Sequence, residues 1–473
     1  MVFSSPIFLF AFLPLFLIAY YLTPFRGKSY VILGASYVFY AWWRIDYLML
    51  FIALTAWNYS LGLQIAKREK EESKKWLTLG VVSNLATLCY FKYTNFGISN
   101  LNAILEWAGT QPLPLADIIL PIGISFYLFH CISYLVDIYR RDAAPVTRFV
   151  DFAAFISLYP QLVAGPILRY KDLAHQFRHR VHDWTLFSHG VMRFIQGFVK
   201  KVLIADSLAP VVDMCFASSN PGLLDSWLGA LAFTAQLYFD FSGYSSMAVG
   251  LGCMMGFRFT ENFNMPFMSQ SFSEFWRRWH ISLSSWLRDY VYIPLGGNNA
   301  GIRKTYRNLS ITMLLSGIWH GAAWTFVVIG AFYAVILCIE RASGVSNRRD
   351  PGLRGVVRTI VCMTITVFVL AMFRAPSVPD GISLYAGMLG LNGWTGDGVH
   401  LFYPGFSLLM VAVAYVTIYV IEPLYIGRPQ FTPITPWHQR ADVAYLLVAL
   451  PLFGLAISRL LAQSYSPFLY FAF

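Results

Sequence analysis

Apolar runs of about bilayer length follow one another along nearly the whole chain. They are 6–23, 30–43, 47–66, 76–95, 118–138, 227–255, 322–340, 356–373, 402–424 and 441–462. Within lipid, every backbone N–H and C=O must be bonded inside the protein, so only helices and closed barrels span a bilayer. Because a spanning β-strand needs only about ten residues, runs of this length predict helices. The predicted fold class is an all-α polytopic membrane protein with about 10–12 transmembrane helices.

The distribution of charge predicts the orientation of these helices. Lys and Arg gather in short loops, namely 26–28, 67–75, 140–148, 169–180, 303–307 and 341–358. The connections 96–117, 218–226 and 375–400 contain neither residue type. This alternation predicts that the basic loops are cytoplasmic and that the N-terminus lies outside. The net charge of +11 therefore reflects topology and does not indicate nucleic acid as a partner.

We expect one membrane-embedded domain over 1–473, since 57% of the residues are hydrophobic and only 12% are charged. No basic residue precedes Arg26, so we expect 6–23 to stay as a spanning helix and not to act as a secretory signal. The six cysteines are scattered without zinc-site spacing. They predict neither a metal site nor a disulfide framework.

Three stretches depart from simple spanning helices. Residues 150–167 are interrupted by proline and glycine and lie between basic loops, which predicts a re-entrant hairpin. Residues 189–217 carry Arg193, Lys200 and Lys201, for which we expect snorkelling at the bilayer interface. Residues 308–320 are too short to span. With 322–340 they predict a helical pair that places His320 at the inner end of a short helix.

Residues 271–290 are expected to form one amphipathic helix. Ser271 and Glu274 have the spacing of a capping box. An aromatic stripe occupies one face, and the opposite face carries Arg277, His280, Ser284 and Arg288. Two interpretations are open for the arginines of this segment, including Arg278. They contact lipid phosphates, or they hold an anionic acyl carrier such as coenzyme A.

His280 and His320 are the principal catalytic candidates, within a catalytic segment of about 236–325. Imidazole exchanges a proton near neutral pH, and an ionisable group at membrane depth is costly unless it has a function. The alternative is a hydrogen bond between packed helices. Asp240, near Tyr244 in an apolar run, fits either a proton relay or a structural hydrogen bond.

Motifs that the chain lacks exclude two kinds of chemistry. Neither GxGxxG nor GxxxxGK[ST] occurs, which argues against a nucleotide-hydrolysing pump. There is no GxSxG elbow, so acyl chemistry here would use His-assisted attack by an external hydroxyl and not a serine nucleophile.

The runs FWRRWHISLSSWLRDYVYIPLGGN and LSGIWHGAAWTF resemble the membrane-bound O-acyltransferase family. The similarity extends through LPIGISFYLFHCISYLVDIYRR, YPQLVAGPILRY and QLYFDFSGYSSMAVGLG. The bacterial branch that it resembles includes the alginate O-acetyltransferase membrane subunit and the teichoic-acid D-alanyl transfer protein. This resemblance implies helices, some re-entrant or interfacial, around a central funnel. It also implies His320 as the catalytic histidine and His280 at a second position that holds His or Asn.

The resemblance further implies acyl transfer from a cytoplasmic thioester, such as acetyl-CoA, to a hydroxyl on the outer side of the inner membrane. No permanently bound cofactor is implied. The expected partners are a periplasmic SGNH-type acetyltransferase and a polysaccharide synthesis and secretion complex. Arg277, Arg278 and Arg288 are expected to bind the phosphates of the donor, with Asp240, Tyr244, Ser284 and Trp319 as supporting polar groups. At the C-terminus, PFLYFAF stands where relatives often read PFIYFQF, which bears on contact with the partner.

The predicted function is O-acetylation of a secreted polysaccharide of the alginate or cellulose type. Two alternatives are open. The same fold could transfer D-alanine to teichoic acid, or the histidines and Asp240 could form the proton path of a transporter or flippase. Thiol release from the donor distinguishes an acyltransferase from a transporter.

Overall fold

The computed structural model describes residues 1–114, 118–163, 165–299, 301–426, 436–462 and 469, with the backbone alone at 347, 425–426 and 436–446. Within these residues all regular structure is helical, apart from one isolated β-bridge between Pro221 and Gly396. The predicted all-α class is therefore confirmed. The C-terminal PFLYFAF segment lies outside the described residues except for Leu469.

The chain folds into two compact units. The first comprises residues 1–190 and 248–260, and the second comprises residues 191–247 and 261–473. The expectation of one domain over 1–473 stays a prediction.

The described residues of the first unit form eight complete α-helices and the start of a ninth. They are α1 (Leu13–Leu22), α2 (Lys28–Ala41), α3 (Ile45–Lys67), α4 (Lys70–Trp107), α5 (Ile124–Arg140), α6 (Phe149–Ser157), α7 (Tyr159–Leu162), α8 (Tyr170–Arg178) and α9 (Trp184–Val199). A π-helix, Phe8–Phe12, precedes α1. Tyr159 is fully buried, and its ring is surrounded by the rings of Phe3, Phe8, Phe12, Phe16 and Phe39.

The interrupted stretch 150–167 is packed inside the first unit. Helix α6 ends at Ser157, Leu158 is not helical, and the single turn α7 follows. Residues 152–163 are all buried. Gly123 has φ +73° and approaches the carbonyl of Leu162 so closely that a Cβ would not fit. The irregular backbone is thus surrounded by protein, which is the condition for it to exist at membrane depth.

The second unit begins within α9 and contains the remaining helices. They are α10 (Asp206–Ala217), α11 (Leu223–Met254), α12 (Phe272–Arg278), α13 (Ile281–Leu287), α14 (Ile302–His320), α15 (Trp324–Ala342), α16 (Gly352–Arg374), α17 (Val378–Met388), α18 (Gly405–Val416), α19 (Glu422–Ile426) and α20 (Pro436–Ala462). The last turns of α11 belong to the first unit. π-Helices occupy Lys200–Ala205, Arg288–Tyr292 and Thr417–Ile421.

The two lysines of the 200–205 π-helix do not snorkel, and that prediction is wrong for them. Lys200 and Lys201 are buried, with 8% and 2% of their surface exposed. The Lys200 ammonium lies 2.5 Å from Glu422, and that of Lys201 lies 2.7 Å from Asp206. A buried charge is tolerated when it is paired. Asp206 follows Lys201 by five residues, whereas Glu422 comes from a distant part of the chain that the sequence pattern does not connect to Lys200.

Four of the described helices are long and apolar enough to cross a bilayer: Ile45–Lys67, Trp324–Ala342, Gly352–Arg374 and Gly405–Leu424. The segments Phe8–Leu22 and Leu447–Ala462 form shorter apolar helices. These spans make the chain a membrane protein. The count of 10–12 transmembrane helices and the orientation stay predictions.

Candidate active site

A close helical pair carries His320. Helix α14 ends at this histidine, three residues form the connection, and α15 begins at Trp324. The helices touch where Gly317 faces Gly330, since a Cβ built on Gly317 would lie 2.8 Å from the Gly330 Cα. Small residues at such a contact allow close backbone approach. The predicted pair is confirmed, although α14 is longer than expected because it includes the basic residues from 302 onwards.

His320 is half-buried and lines a cavity within the second unit. The other lining residues are Leu237, Phe241, Phe275, Trp276, Trp279, Met313, Ser316, Gly317, Ile329, Gly330, Tyr333, Leu370 and Phe373. The cavity volume is about 40 Å³. One water molecule needs about 10–15 Å³ of such a volume. The cavity therefore has room for roughly three water-sized groups, and most of its wall is apolar.

Aromatic rings fix the His320 imidazole. The Trp319 ring is edge-on to it at a centroid distance of 5.0 Å, and the Phe373 ring is edge-on at 5.4 Å. Trp324, four residues after this histidine, is 56% exposed. Phe373 packs on the imidazole because α16 brings it to the cavity from a distant part of the chain.

His280 interrupts the segment that was predicted to be one helix. Helix α12 ends at Arg278, α13 begins at Ile281, and His280 between them has a left-handed conformation with φ +43°. Asn262 holds the break, since its backbone carbonyl accepts from the N–H of Ile281 at 2.9 Å. Its side-chain oxygen accepts from the N–H of the next residue at 3.2 Å. A non-glycine residue in this region is strained, and such strain concentrates at functional sites.

The cap of α12 agrees with the sequence pattern. The Ser271 hydroxyl accepts from the Glu274 backbone N–H at 3.1 Å, as in a capping box. The Glu274 carboxylate accepts from the N–H of Gln270 instead of that of Ser271.

The Trp319 ring packs against the rings of both His280 and His320. His280 is fully buried, with its ring edge-on to Phe241 at 4.7 Å and tilted against Trp319 at 5.9 Å. Burial, together with the neighbouring His320, lowers the pKa of His280 well below its usual value. The imidazole is therefore neutral at physiological pH. His280 is not among the residues that line the cavity.

The three predicted phosphate-binding arginines have different environments, and none lines the cavity. Arg277 is exposed and donates weakly to the carbonyl of Ser346 at 3.4 Å. Arg278 is bound to the Glu274 carboxylate at 2.9 Å. Arg288 is largely exposed and pairs with Asp289 at 2.7 Å. Arg277 and Arg288 are exposed and so accessible to an anionic ligand, although Arg288 also pairs with Asp289, whereas Arg278 is largely buried against Glu274.

The supporting polar residues are packed beside the cavity wall in α11 and α13. Asp240 is buried, lies 2.6 Å from the ammonium of Lys201, and accepts from the N–H of Leu469 at 2.9 Å. Tyr244 is buried one turn further along α11. The Ser284 hydroxyl donates to the carbonyl of Trp279 at 3.3 Å. Of the two interpretations of Asp240, this pairing favours the structural one.

Comparison with known proteins identifies the family. The sequence profile of the membrane-bound O-acyltransferase family matches residues 25–374. The chain belongs to the membrane-bound O-acyltransferase family. The probable alginate O-acetylase AlgI of Azotobacter vinelandii is 48% identical to it, and that of Pseudomonas aeruginosa is 46% identical, each over the full length of both chains. The peptidoglycan O-acetyltransferase of Helicobacter pylori is 34% identical over 83% of this chain and 80% of its own.

These similarities show that the chain is an O-acyltransferase. They confirm the predicted family and the predicted enzyme class. The roles of the individual site residues stay predictions.

Two polar groups of the cavity were not singled out from the sequence. Ser316 and Trp276 both line it, and the Ser316 hydroxyl and the Trp276 indole N–H are buried without a hydrogen-bond partner among the described residues. Ser316 precedes His320 by four residues, a helical spacing that places both on one face. That spacing could have indicated Ser316. Trp276 was assigned to the aromatic stripe, and only the tertiary structure brings it to the cavity.

Proposed function

We propose that this O-acyltransferase moves an acetyl group from an acyl thioester to a secreted bacterial polysaccharide, with alginate as the first substrate to test. The cavity beside His320 carries the proposal, because it joins a titratable group to a small apolar space. The full-length similarity to probable alginate O-acetylases supports alginate over the cellulose type.

The size and chemistry of the cavity support acetyl as the acyl group. Acetyl has three non-hydrogen atoms, and the 40 Å³ volume corresponds to about three water-sized groups. A D-alanyl group is larger and carries an ammonium, which would be costly to bury against a mainly apolar wall. Acetyl is therefore the better fit.

His320 is the general base in the proposed mechanism. Its imidazole takes the proton of the attacking hydroxyl as the hydroxyl oxygen bonds to the thioester carbonyl carbon. The tetrahedral intermediate then collapses, the C–S bond breaks, and the imidazolium returns the proton to the leaving thiolate. General base catalysis of this kind contributes typically about 10²–10⁴-fold to the rate. His280 acts as a positioning residue through the Trp319 ring.

The proposed acyl donor is acetyl-CoA, which binds at the cytoplasmic face of the inner membrane. Arg277 and Arg288 are accessible to its phosphates there. The acetyl group leaves on the outer side, where an SGNH-type acetyltransferase and the polysaccharide export complex complete the transfer. The N-terminus is on the outside, as the basic loops indicate.

The test uses inside-out membrane vesicles from alginate-producing cells in which this chain replaces the resident acetylase membrane subunit. Labelled acetyl-CoA is supplied outside the vesicles, and both thiol release and label in the enclosed polysaccharide are measured. The expected result is that His320→Ala and His320→Gln lose both signals. The matched control is His175→Ala, an exposed histidine of the first unit, which retains them. Each variant is first checked for insertion and for a single species in detergent.

Four outcomes contradict parts of the proposal. Undiminished acetylation by folded His320 variants refutes the base assignment. Polysaccharide transport without thiol release indicates a transporter. Label transfer from D-alanyl thioester but not from acetyl-CoA indicates D-alanylation. Label that remains outside the vesicles refutes the direction.

A further inference from the structure

Trp276 carries a buried hydrogen-bond donor and belongs to the cavity wall. It lies in α12, lines the cavity with His320, and has its ring edge-on to Tyr333 at a centroid distance of 5.0 Å. The indole N–H is buried, and among the described residues no group accepts from it. A buried donor without an acceptor costs about 1–3 kcal/mol. The N–H of Trp227, by comparison, donates to the carbonyl of Met388 at 3.0 Å.

Ser316 provides a second buried hydrogen-bond donor in addition to the Trp276 N–H. Its hydroxyl lines the same cavity and also has no partner among the described residues. The serine is 1% exposed, so bulk water does not solvate the hydroxyl. Two buried donors on residues that line one small cavity complement a ligand with an acceptor oxygen, and a thioester carbonyl is such an acceptor.

We propose that the Trp276 indole N–H donates to the carbonyl oxygen of the acyl group and stabilises the oxyanion during transfer. This inference rests on the proposed acyl transfer at His320. As the acceptor hydroxyl oxygen bonds to the carbonyl carbon, the carbonyl π electrons move to its oxygen. The Trp276 N–H remains covalently intact and strengthens its hydrogen bond to that oxygen. When the C–S bond breaks, the electrons return to re-form the carbonyl, now in the ester product.

Trp276 is better placed for this role than His280. His280 is fully buried outside the cavity lining and packs its ring on Phe241 and Trp319. Trp276 lines the cavity itself. A donor that is unsatisfied in the free enzyme and used as charge develops favours the transition state over the ground state.

The experiment compares Trp276→Phe with Trp227→Phe in the inside-out vesicles described above. Both changes remove an indole N–H and the same ring volume, but only Trp227 loses an existing hydrogen bond. Trp276→Phe is expected to lower kcat for acetyl-CoA by about 10²-fold, as for loss of one oxyanion donor, with KM within about threefold. Trp227→Phe is expected to keep kcat within about twofold at temperatures where the protein is folded. Its unfolding temperature should fall further than that of Trp276→Phe.

A second replacement separates the N–H from the ring. Benzothienylalanine at position 276, introduced by stop-codon suppression, substitutes sulfur for the N–H and keeps the bicyclic shape. It should reproduce the loss in kcat without a loss in unfolding temperature. Wild-type kcat in this variant overturns the inference and leaves acyl transfer at His320 intact. Equal losses of stability in the two Phe variants, with KM raised in Trp276→Phe, also overturn it. A wild-type chain that releases no thiol refutes the proposed function itself.

Discussion

Replacing Gly317 by alanine tests the helix contact that positions His320. A Cβ at Gly317 would lie 2.8 Å from the Gly330 Cα and closer still to the Phe326 carbonyl oxygen. Ordinary contact begins at 3.4 Å, so α14 and α15 must separate locally by at least 0.6 Å. The clashing atoms belong to the backbone and cannot rotate away. Overpacking of this kind costs about 1–3 kcal/mol.

The matched control is Gly454→Ala in α20. A Cβ at Gly454 meets no atom of the described residues within 4 Å. Both substitutions gain the same helix propensity, about 1 kcal/mol, so the difference between them isolates the cost of overpacking. We expect Gly317→Ala to be less stable than Gly454→Ala by about 1–3 kcal/mol. Because a 1 Å misplacement costs about 10²-fold in rate, Gly317→Ala should also lose on the order of tenfold in acetyl transfer.

Stability is measured as the inactivation half-life in lipid nanodiscs at one fixed temperature, since unfolding of membrane proteins of this size is commonly irreversible. Activity is measured as label transfer in inside-out vesicles. Gly317→Ala with the half-life and activity of Gly454→Ala would refute the close contact between the two helices.

Three further predictions concern other parts of the second unit. His280→Asn should be more stable than His280→Ala by about 1 kcal/mol, because asparagine tolerates the left-handed conformation; thermal inactivation of the two variants checks this. Asp240→Asn should lose about 1.5–3 kcal/mol, the value of a hydrogen bond to a charged group, as measured by the inactivation half-life in lipid nanodiscs. The larger loss of about 3–5 kcal/mol, expected for an unpaired buried charge, would mean that Lys201 has no second carboxylate. Hydrogen bonds, first that from the Ser218 hydroxyl, lower the pKa of Asp397 below 3.8. Their stabilising effect is present above that value and is lost as the pH falls through the folded-state pKa. Amide protection factors in the 391–403 loop, which are corrected for the intrinsic pH dependence of exchange, should therefore decrease as the pH drops below 3.8 in wild type but not in Asp397→Asn.

Much of the fold could be predicted from the sequence because the length of an apolar run is a local property. The runs 47–66, 322–340 and 356–373 correspond to helices that differ by a few residues at each end. The end of α14 at His320 was predicted for the same reason, since glycine and small residues follow it directly. Family resemblance then assigned the catalytic role to this histidine.

The site could be predicted only in part. The histidines were identified from their unusual surroundings, but the 271–290 segment was wrongly expected to be one helix. Its break depends on hydrogen bonds that backbone N–H groups of the segment donate to Asn262, which lies outside it. The pairing of Lys200 with Glu422 joins residues 222 positions apart. No local pattern encodes contacts of that separation.

The sequence by itself determined that the chain forms apolar helices, that two histidines lie among them, and that one of the two ends a helix just before Gly321. These properties depend on residue type and on spacing within a few turns. The tertiary structure alone decided which residues enclose the cavity, because α11, α12, α14, α15 and α16 each contribute to its wall. It also decided which donors within that cavity are left without a protein partner, since hydrogen-bond satisfaction depends on neighbours that only packing brings together.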